Sequence, residues 1–323
     1  MKRIGVFTSG GDAPGMNACV RAVVRTALYH GVEVYGIMRG YSGMIKGEIV
    51  RLDTTSVANI VQRGGTILKS ARSQRFQTKE GRQAAFDQLV NHKIEGLVAI
   101  GGNGTFTGAE LFEREFGIPT VGAPGTIDND LFGTDYTIGY DTAVNTALEA
   151  IDKIRDTADS HDRAFFVEVM GRDSGYIAIP CAIGGGAEIV LVPETQQSLE
   201  SVIEQLQIGR KRQKSSFLVV VAEGEEEGNA THIATQVKEA IPELDVRVTV
   251  VGHIQRGGAP SAADRLLASQ IGIAAVEGLI NGMRSVMAGI VDRKLVYTPF
   301  HDCITRKKPI NQSFMRMMEI LST

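Results

Sequence analysis

Two carboxylates, Asp128 and Asp130, flank Asn129 in the stretch PGTIDND at 124–130. Carboxylates two residues apart can divide labour: one accepts a proton from a hydroxyl while the other faces a metal ion or its waters. Taken alone, the same letters also read as an Asx-rich turn. Basic residues supply the complement for an anionic substrate. They are Arg72 in KSARS, Arg163 in SHDRA, Arg172 in VMGRD, Arg247 in DVRVT, and Arg256 in HIQRGG beside His253. An arginine fork matches phosphate oxygens in pairs. Arg172 and Arg256 directly follow apolar runs, which sets them apart from ordinary solvated charges. His253, next to Gln255 and Arg256, reads as a ligand contact more than as a core histidine. Glu223 ends the run SSFLVVVAE, where a carboxylate suits either a sugar hydroxyl or a helix cap.

Two glycine loops add a place for phosphates. SGGDAPGMN at 9–17 puts two glycines after an apolar run and opens a helix, so backbone N–H groups can face an anion. GGNGT at 101–105 repeats the arrangement, with Thr105 expected as the helix N-cap. Neither loop is GxGxxG, and neither is a Walker A motif, which needs GKS or GKT. An ordinary dinucleotide fold is thereby disfavoured.

The elements that carry these motifs repeat one pattern. Apolar runs at 4–8, 96–100, 119–123, 164–170, 189–192, 216–222 and 248–252 each end in glycines or a polar loop, and most lead into a helix-like stretch. Such runs, buried on both faces and alternating with amphipathic helices, predict an α/β fold with mainly parallel sheets. Ligands in such folds sit at the carboxyl ends of the strands, where every polar motif above lies. The chain is expected to cross into a second domain near 138–142 and back near 256.

The bulk composition agrees. A chain of 323 residues, 43% apolar and 22% charged, suits two globular domains. The formal charge of −3 gives no global basic field for nucleic acid or a membrane surface. Cys19, Cys181 and Cys303 form no CxxC pair and read as reduced thiols of a cytoplasmic protein. No signal-like or membrane-spanning apolar run is seen.

Taken in order, TSGGDAPGMN, GGTILKSAR, GGNGT, PGTIDNDLFGTDYTIGYDTA, IDKIRDTA, VEVMGR, VAEG and GHIQRGG resemble the bacterial-type ATP-dependent 6-phosphofructokinases over essentially the whole chain. The resemblance implies two Rossmann-like three-layer domains with the active site in the cleft between them. The larger, ATP-binding domain is expected at 1–139 plus 257–304. The smaller, fructose 6-phosphate-binding domain is expected at 140–256 plus 305–323. It implies transfer of the terminal phosphate of ATP to the 1-hydroxyl of fructose 6-phosphate, with Mg²⁺. Asp128 is then the base, Thr126 positions the hydroxyl and the incoming phosphoryl, and Arg72 and Arg172 face the transferring group. Gly11, Ser73, Gly102, Asn103, Gly104 and Thr105 join Arg72 at the nucleotide, with Tyr41, Phe76 and Arg82 around it. Met170, Gly171, Glu223, His253 and Arg256 join Thr126, Asp128, Asp130 and Arg172 at the sugar phosphate. Arg163 and Arg247 are expected to reach it from a neighbouring subunit of a homotetramer.

Pyrophosphate-using relatives typically carry Asp at Gly104 and Lys at Gly125. Their absence is expected to leave room for the α-phosphate of ATP. Asn103 stands where the family usually has Asp, so the metal set becomes Asn103 and Asp130, and a neutral amide is a poorer partner for a hard dication. That departure keeps open a catalytically weakened, sugar-phosphate-binding alternative. NAD or lipid kinases sharing a GGDG-like loop would not need HIQRGG together with MGR. Arg21, Arg25, Arg155, Glu188, Arg212 and Lys214 approximately match positions that take ADP or phosphoenolpyruvate as effector in the family. Asn59 replaces an acidic residue common there, and Ser215 and Ser216 stand where more basic residues are frequent. The cluster reads equally as a basic surface patch.

Overall fold

The computed structural model describes residues 1–160, 163–195, 197–214 and 216–321, so Ser215 lies outside the described residues. Its strands are β1 (Arg3–Thr8), β2 (Glu33–Ile37), β3 (Ile49–Leu52), β4 (Gly96–Gly101), β5 (Thr120–Pro124), β6 (Arg163–Val169), β7 (Ile189–Leu191), β8 (Phe217–Ala222), β9 (Asp245–Val250), β10 (Val286–Val291) and β11 (Lys294–Pro299). Its α-helices are α1 (Met16–Tyr29), α2 (Gly40–Lys46), α3 (Lys79–Asn91), α4 (Asn103–Phe116), α5 (Tyr140–Asp159), α6 (Ala178–Gly185), α7 (Leu199–Lys211), α8 (Ala230–Ala240), α9 (Ala262–Ile280), α10 (Phe300–Thr305) and α11 (Gln312–Leu321).

The chain forms two compact units. The first holds Met1–Ile127, Leu131–Thr142 and Arg256–Lys308; the second holds Asp128–Asp130, Ala143–Gln255 and Pro309–Thr323. The exchanges, expected after 139, 256 and 304, fall after Thr142, Gln255 and Lys308. Arg256 therefore goes with the first unit, and three residues of the PGTIDND loop go with the second.

The first unit is built on a seven-stranded sheet of order β11-β10-β5-β4-β1-β2-β3. It is parallel except at its margins, where β3 runs against β2 and β11 against β10. The central strand β4, GLVAIG, is buried along its whole length, which is why it reads as a continuous apolar run and not an alternating one. Side chains of one face, including Phe7, Leu97 and Ala99, join Met44, Leu89 and Phe112 in a core beneath α2, α3 and α4. Alternation sends Ile4 and Val6 to the opposite face, and α1 and α9 pack against each other and against this sheet.

The second unit has a wholly parallel sheet of order β7-β8-β6-β9. Ala164, Phe166, Val219 and Val221 meet Val202 and Leu206 of α7 and Ile233 and Val237 of α8 in one core. On the alternate residues of β8, Leu218 lies near Gly185 of α6, where Ile151 of α5 also packs. The edge strand β9 keeps Arg247, Val248 and Val250 exposed because nothing pairs with its outer side among the described residues. Both units are thus mainly parallel α/β layers, the architecture predicted from the apolar runs. Cys19, Cys181 and Cys303 are buried, and burial pushes their thiols up to about 12, which leaves them unreactive near neutrality.

Candidate active site

In the first unit the three polar loops stand at the carboxyl ends of β1, β4 and β5, and backbone bonds lock them together. Ser9 N–H donates to Ile100 O at 3.0 Å, and Gly125 N–H donates to Gly101 O at 3.0 Å. Loop 101–105 differs from its expected form. The helix α4 begins at Asn103, with Gly102 as its N-cap and no side-chain cap. Thr105 is therefore not the cap. It lies buried in the first turn, and its hydroxyl donates to Ser9 O at 3.3 Å, tying two loops together. The first N–H groups of α4 have no side-chain acceptor at the N-cap, which suits an anion.

The two glycines read as openings for a nucleotide behave differently. A Cβ built on Gly104 would meet nothing within 4 Å. One built on Gly125 would run into Ile100 Cγ2 at 2.9 Å and Met16 Cε at 3.1 Å. A side chain at Gly125 is thus crowded by the protein's own packing, whereas Gly104 faces open space. Gly11 has a partner of its own: a Cβ there would lie 2.6 Å from Arg256 Nη1. The structure brings together Gly11, assigned to the nucleotide, and Arg256, assigned to the sugar phosphate.

Tyr41, Phe76 and Arg82, expected around a nucleotide, are all buried. Tyr41 stacks on Phe76 with ring centroids 3.9 Å apart, and its hydroxyl donates to Thr105 O at 2.6 Å. Arg82 spends its fork on Glu115, with Nε and Nη2 at 2.6 and 2.8 Å, and its Nη1 on Phe76 O and Gln77 O. A guanidinium so committed, with four of its five N–H donors used, holds the 75–77 turn. Arg72 is exposed, and Ser73 is partly buried with its Oγ accepting from Phe76 N–H at 3.3 Å. Thr126 is buried, and its carbonyl accepts from the Thr137 hydroxyl at 2.6 Å.

In the second unit Asp128 is only 4% exposed, with Asn129 beside it in the left-handed region at φ 54°. Arg172 Nε stands 4.0 Å from Asp128 Oδ2, and the arginine side chain is otherwise largely in solvent. Glu223, expected at the sugar phosphate, accepts through Oε1 from Arg172 N–H at 2.7 Å and Gly171 N–H at 3.3 Å. It therefore shapes the turn that presents Arg172. Met170 N–H donates to Gln255 Oε1 at 2.8 Å, while His253 is exposed. Arg163 and Arg247 come together at the β9 edge, where Asp245 binds both, at 2.7 and 3.1 Å. The Arg163 hydrogen bond, more than charge alone, holds the Asp245 carboxyl below its ordinary range.

Several participants escaped the sequence reading. Gln255 is fully buried and holds Met170, but nothing in HIQRGG marks an amide as structural. Asp245 follows a helix and gives no signal of its two arginine partners. Tyr176 lies near Asp130 and Glu194; burial first, then those two charges, raise its phenol above the ordinary value. Of the effector residues, Arg155, Lys214 and Glu188 converge in the second unit. Lys214 Nζ is 2.8 Å and Arg155 Nη2 3.9 Å from Glu188 Oε1, and Arg155 Nη1 also donates to Gly185 O and Gly186 O. Arg212 is exposed at the end of α7, and Arg21 and Arg25 sit on α1 of the first unit.

Two parallel α/β units with helix-opening glycine loops, exposed arginines and a buried aspartate facing one of them make a phosphate-handling enzyme class. The chain belongs to the phosphofructokinase family, which it matches over residues 3–279. It is 63% identical to an ATP-dependent 6-phosphofructokinase of Cytophaga hutchinsonii, covering 100% of this chain and 98% of that one. It is 58% identical to ATP-dependent 6-phosphofructokinase 1 of Thermus thermophilus, covering both chains fully. Among solved structures, the phosphofructokinase of Saccharomyces cerevisiae superposes with a TM-score of 0.90 at 34% identity, over 100% of this chain and 48% of that chain. A pyrophosphate-dependent phosphofructokinase of Marinobacter aquaeolei superposes with a TM-score of 0.85 at 25% identity, over 100% and 92%.

Proposed function

We propose that this chain transfers the terminal phosphate of ATP to the 1-hydroxyl of fructose 6-phosphate. The observation that carries the reading is the buried Asp128 carboxylate facing the Arg172 guanidinium, in a chain alike from end to end to relatives named for this reaction. Asp128 takes the hydroxyl proton as the hydroxyl attacks, and Arg172 and Arg72 neutralise charge on the group in flight. Thr126 orients the acceptor. Phosphoryl transfer asks mainly for such positioning and charge neutralisation. Gly11, Ser73, Gly102, Gly104 and Thr105 serve the nucleotide; Met170, Gly171, Glu223, His253 and Arg256 serve the sugar phosphate. The space at Gly104 favours ATP over pyrophosphate as donor.

Among the described residues no three acidic, histidine or cysteine side chains form a metal cage. That fits Mg²⁺ arriving on the nucleotide, since this ion takes one or two protein carboxylates together with substrate phosphates. Asp130 is the carboxylate and Asn103 the amide proposed to face it; the ion would neutralise the donor's phosphates. Self-association into a tetramer is proposed from the open β9 edge, which exposes Val248 and Val250 beside the paired Arg163 and Arg247. ADP or phosphoenolpyruvate is proposed as an effector at Arg155, Arg212, Lys214 and Glu188, with Arg21 and Arg25. A cytoplasmic enzyme is proposed; no helix among the described residues is long and apolar enough to cross a membrane.

An assay of ADP formation with fructose 6-phosphate, run in parallel with pyrophosphate as donor, tests the reading. Asp128→Ala should lower kcat by about 10²- to 10⁴-fold. Turnover that survives Asp128→Ala refutes the base, and faster turnover with pyrophosphate refutes the donor.

A further inference from the structure

The helix α5 starts with a deficit. The residue before it is Gly139, which has no side chain to accept the first N–H groups of the helix. Another helix supplies the acceptor. Asp264, in the first turn of α9 and 1% exposed, accepts from Gly139 N–H at 2.8 Å through Oδ1. Its Oδ2 accepts from Thr142 N–H at 2.8 Å and from the Thr142 hydroxyl at 2.5 Å. The arrangement is reciprocal. Ser261, the N-cap of α9, donates its N–H to Thr142 Oγ1 at 2.9 Å and its hydroxyl to Asp141 at 2.5 Å, and accepts from Asp264 N–H at 3.2 Å. Four side chains thus close a ring between two helix starts.

The segment so held leads straight to the PGTIDND loop. Ile138 N–H donates to Pro124 O at 2.8 Å, and Ile138 bridges Gly125. The Thr137 hydroxyl donates to Thr126 O at 2.6 Å, with both residues buried. Loop 9–17 closes on the same segment: a Cβ on Gly139, at φ 103°, would lie 2.6 Å from Ala13 Cβ, and one on Gly15 would lie 2.7 Å from Ile138. Residues 137–139 are thus bonded to Pro124 and Thr126 on one side and packed against loop 9–17 on the other.

We propose that Asp264 is a positioning residue for phosphoryl transfer, fixing residues 137–142 and, through Thr137 and Ile138, the backbone of Thr126. The catalytic half of this inference rests on the function proposed above; the mechanical half does not. An asparagine keeps the shape of Asp264 but turns an NH₂ toward Gly139 N–H or Thr142 N–H, a donor facing a donor. The test pairs kinetics with hydrogen exchange on the full chain, using Asp264→Asn, Thr142→Val and Thr142→Ser. Asp264→Asn should lose about 10- to 100-fold in kcat, with KM for ATP moved by less than about threefold, while unfolding stays cooperative. Amide exchange at 124–127 should speed up by about tenfold or more relative to the unaltered chain. Thr142→Val should show the same changes more weakly, and Thr142→Ser, which keeps the hydroxyl, should restore both readouts. If Asp264→Asn does not fold, Thr142→Val decides. Unchanged exchange at 124–127 in the folded variants, or kcat within about twofold of the unaltered chain, overturns the proposal. Absence of turnover in the unaltered chain would instead strike at the reaction, and the exchange result would still judge the coupling.

Discussion

Arg82 and Arg163 each grip one carboxylate at a similar distance, 2.6 and 2.7 Å, and serve opposite ends. Arg82, in the first unit, is buried and spends its remaining donors on main-chain carbonyls. Arg163, in the second, is partly in solvent at the start of β6, beside the edge strand β9, and shares Asp245 with Arg247. The contrast extends to the regions around them. The first unit presents backbone: glycine loops, helix starts and buried hydroxyls that bond to carbonyls. The second presents charged side chains, each with an acid nearby: Arg172 beside Asp128, with Glu223 holding its backbone N–H, Arg163 and Arg247 with Asp245, Arg155 and Lys214 with Glu188. A backbone cradle is only as good as the packing beneath it, whereas a guanidinium needs only to be aimed. Damage to the first unit should appear as lost stability, and damage to the second as lost substrate affinity.

Of the three replacements that test this contrast, Glu115→Gln is expected to have the largest effect. The Arg82 hydrogen bond is the leading reason that the Glu115 carboxyl titrates below its ordinary value. Its native pKa is depressed, so the pair's stabilisation is complete above the ordinary carboxylate range and is lost as pH falls through the native value. Glu115→Gln should therefore cost about 2 kcal/mol at neutral pH, discounted from the full cost of breaking a buried pair because Glu115 is partly exposed. The gap in thermal midpoint between the two proteins should narrow on acidification. A constant gap across pH would show that the pair is not what holds the 75–77 turn.

Next comes Glu223→Ala, which strips the acceptor from Gly171 N–H and Arg172 N–H. The cost of about 1–2 kcal/mol should appear as a roughly tenfold rise in KM for fructose 6-phosphate with little change in KM for ATP. An equal rise in both would break the division between the two units. The smallest effect is expected from Asp245→Asn, on an exposed strand. It should change KM for fructose 6-phosphate by about two- to fivefold and become weaker at high salt. A fall in thermal midpoint as large as that of Glu115→Gln would erase the distinction drawn between the two arginines.

Much of this arrangement could be read from the chain. The stretches 96–100 and 217–222 are buried along their length, so an unbroken apolar string was a sufficient signal for β4 and β8. The loops after them follow, because a parallel strand must end at a turn on the ligand edge. What misled was local plausibility. Gly125 read as an opening, although Ile100 and Met16 occupy the space. Thr105 read as a cap, although α4 starts two residues earlier. The ion pair of Arg82 left no sign in the chain, because Glu115 lies 33 residues away and no spacing rule links them. Asp264 did leave a trace. Ser261 and Asp264 stand three apart before an apolar helix, which is the pattern of a capping box, and the Ser261 side chain does accept from Asp264 N–H.

By itself the sequence determined the layered α/β class, the loops that carry phosphate chemistry and the family, because these depend on residue types and spacings within short stretches. Only the tertiary structure decided which of the charged groups remain available. A guanidinium or carboxylate has a fixed number of hydrogen-bonding places, and whether a neighbour distant in sequence has already filled them is a matter of packing. Arg82 has given four of its five N–H donors to Glu115 and to two main-chain carbonyls, Glu223 has given one oxygen to the 171–172 backbone and keeps the other, and Arg172 extends into solvent beside Asp128.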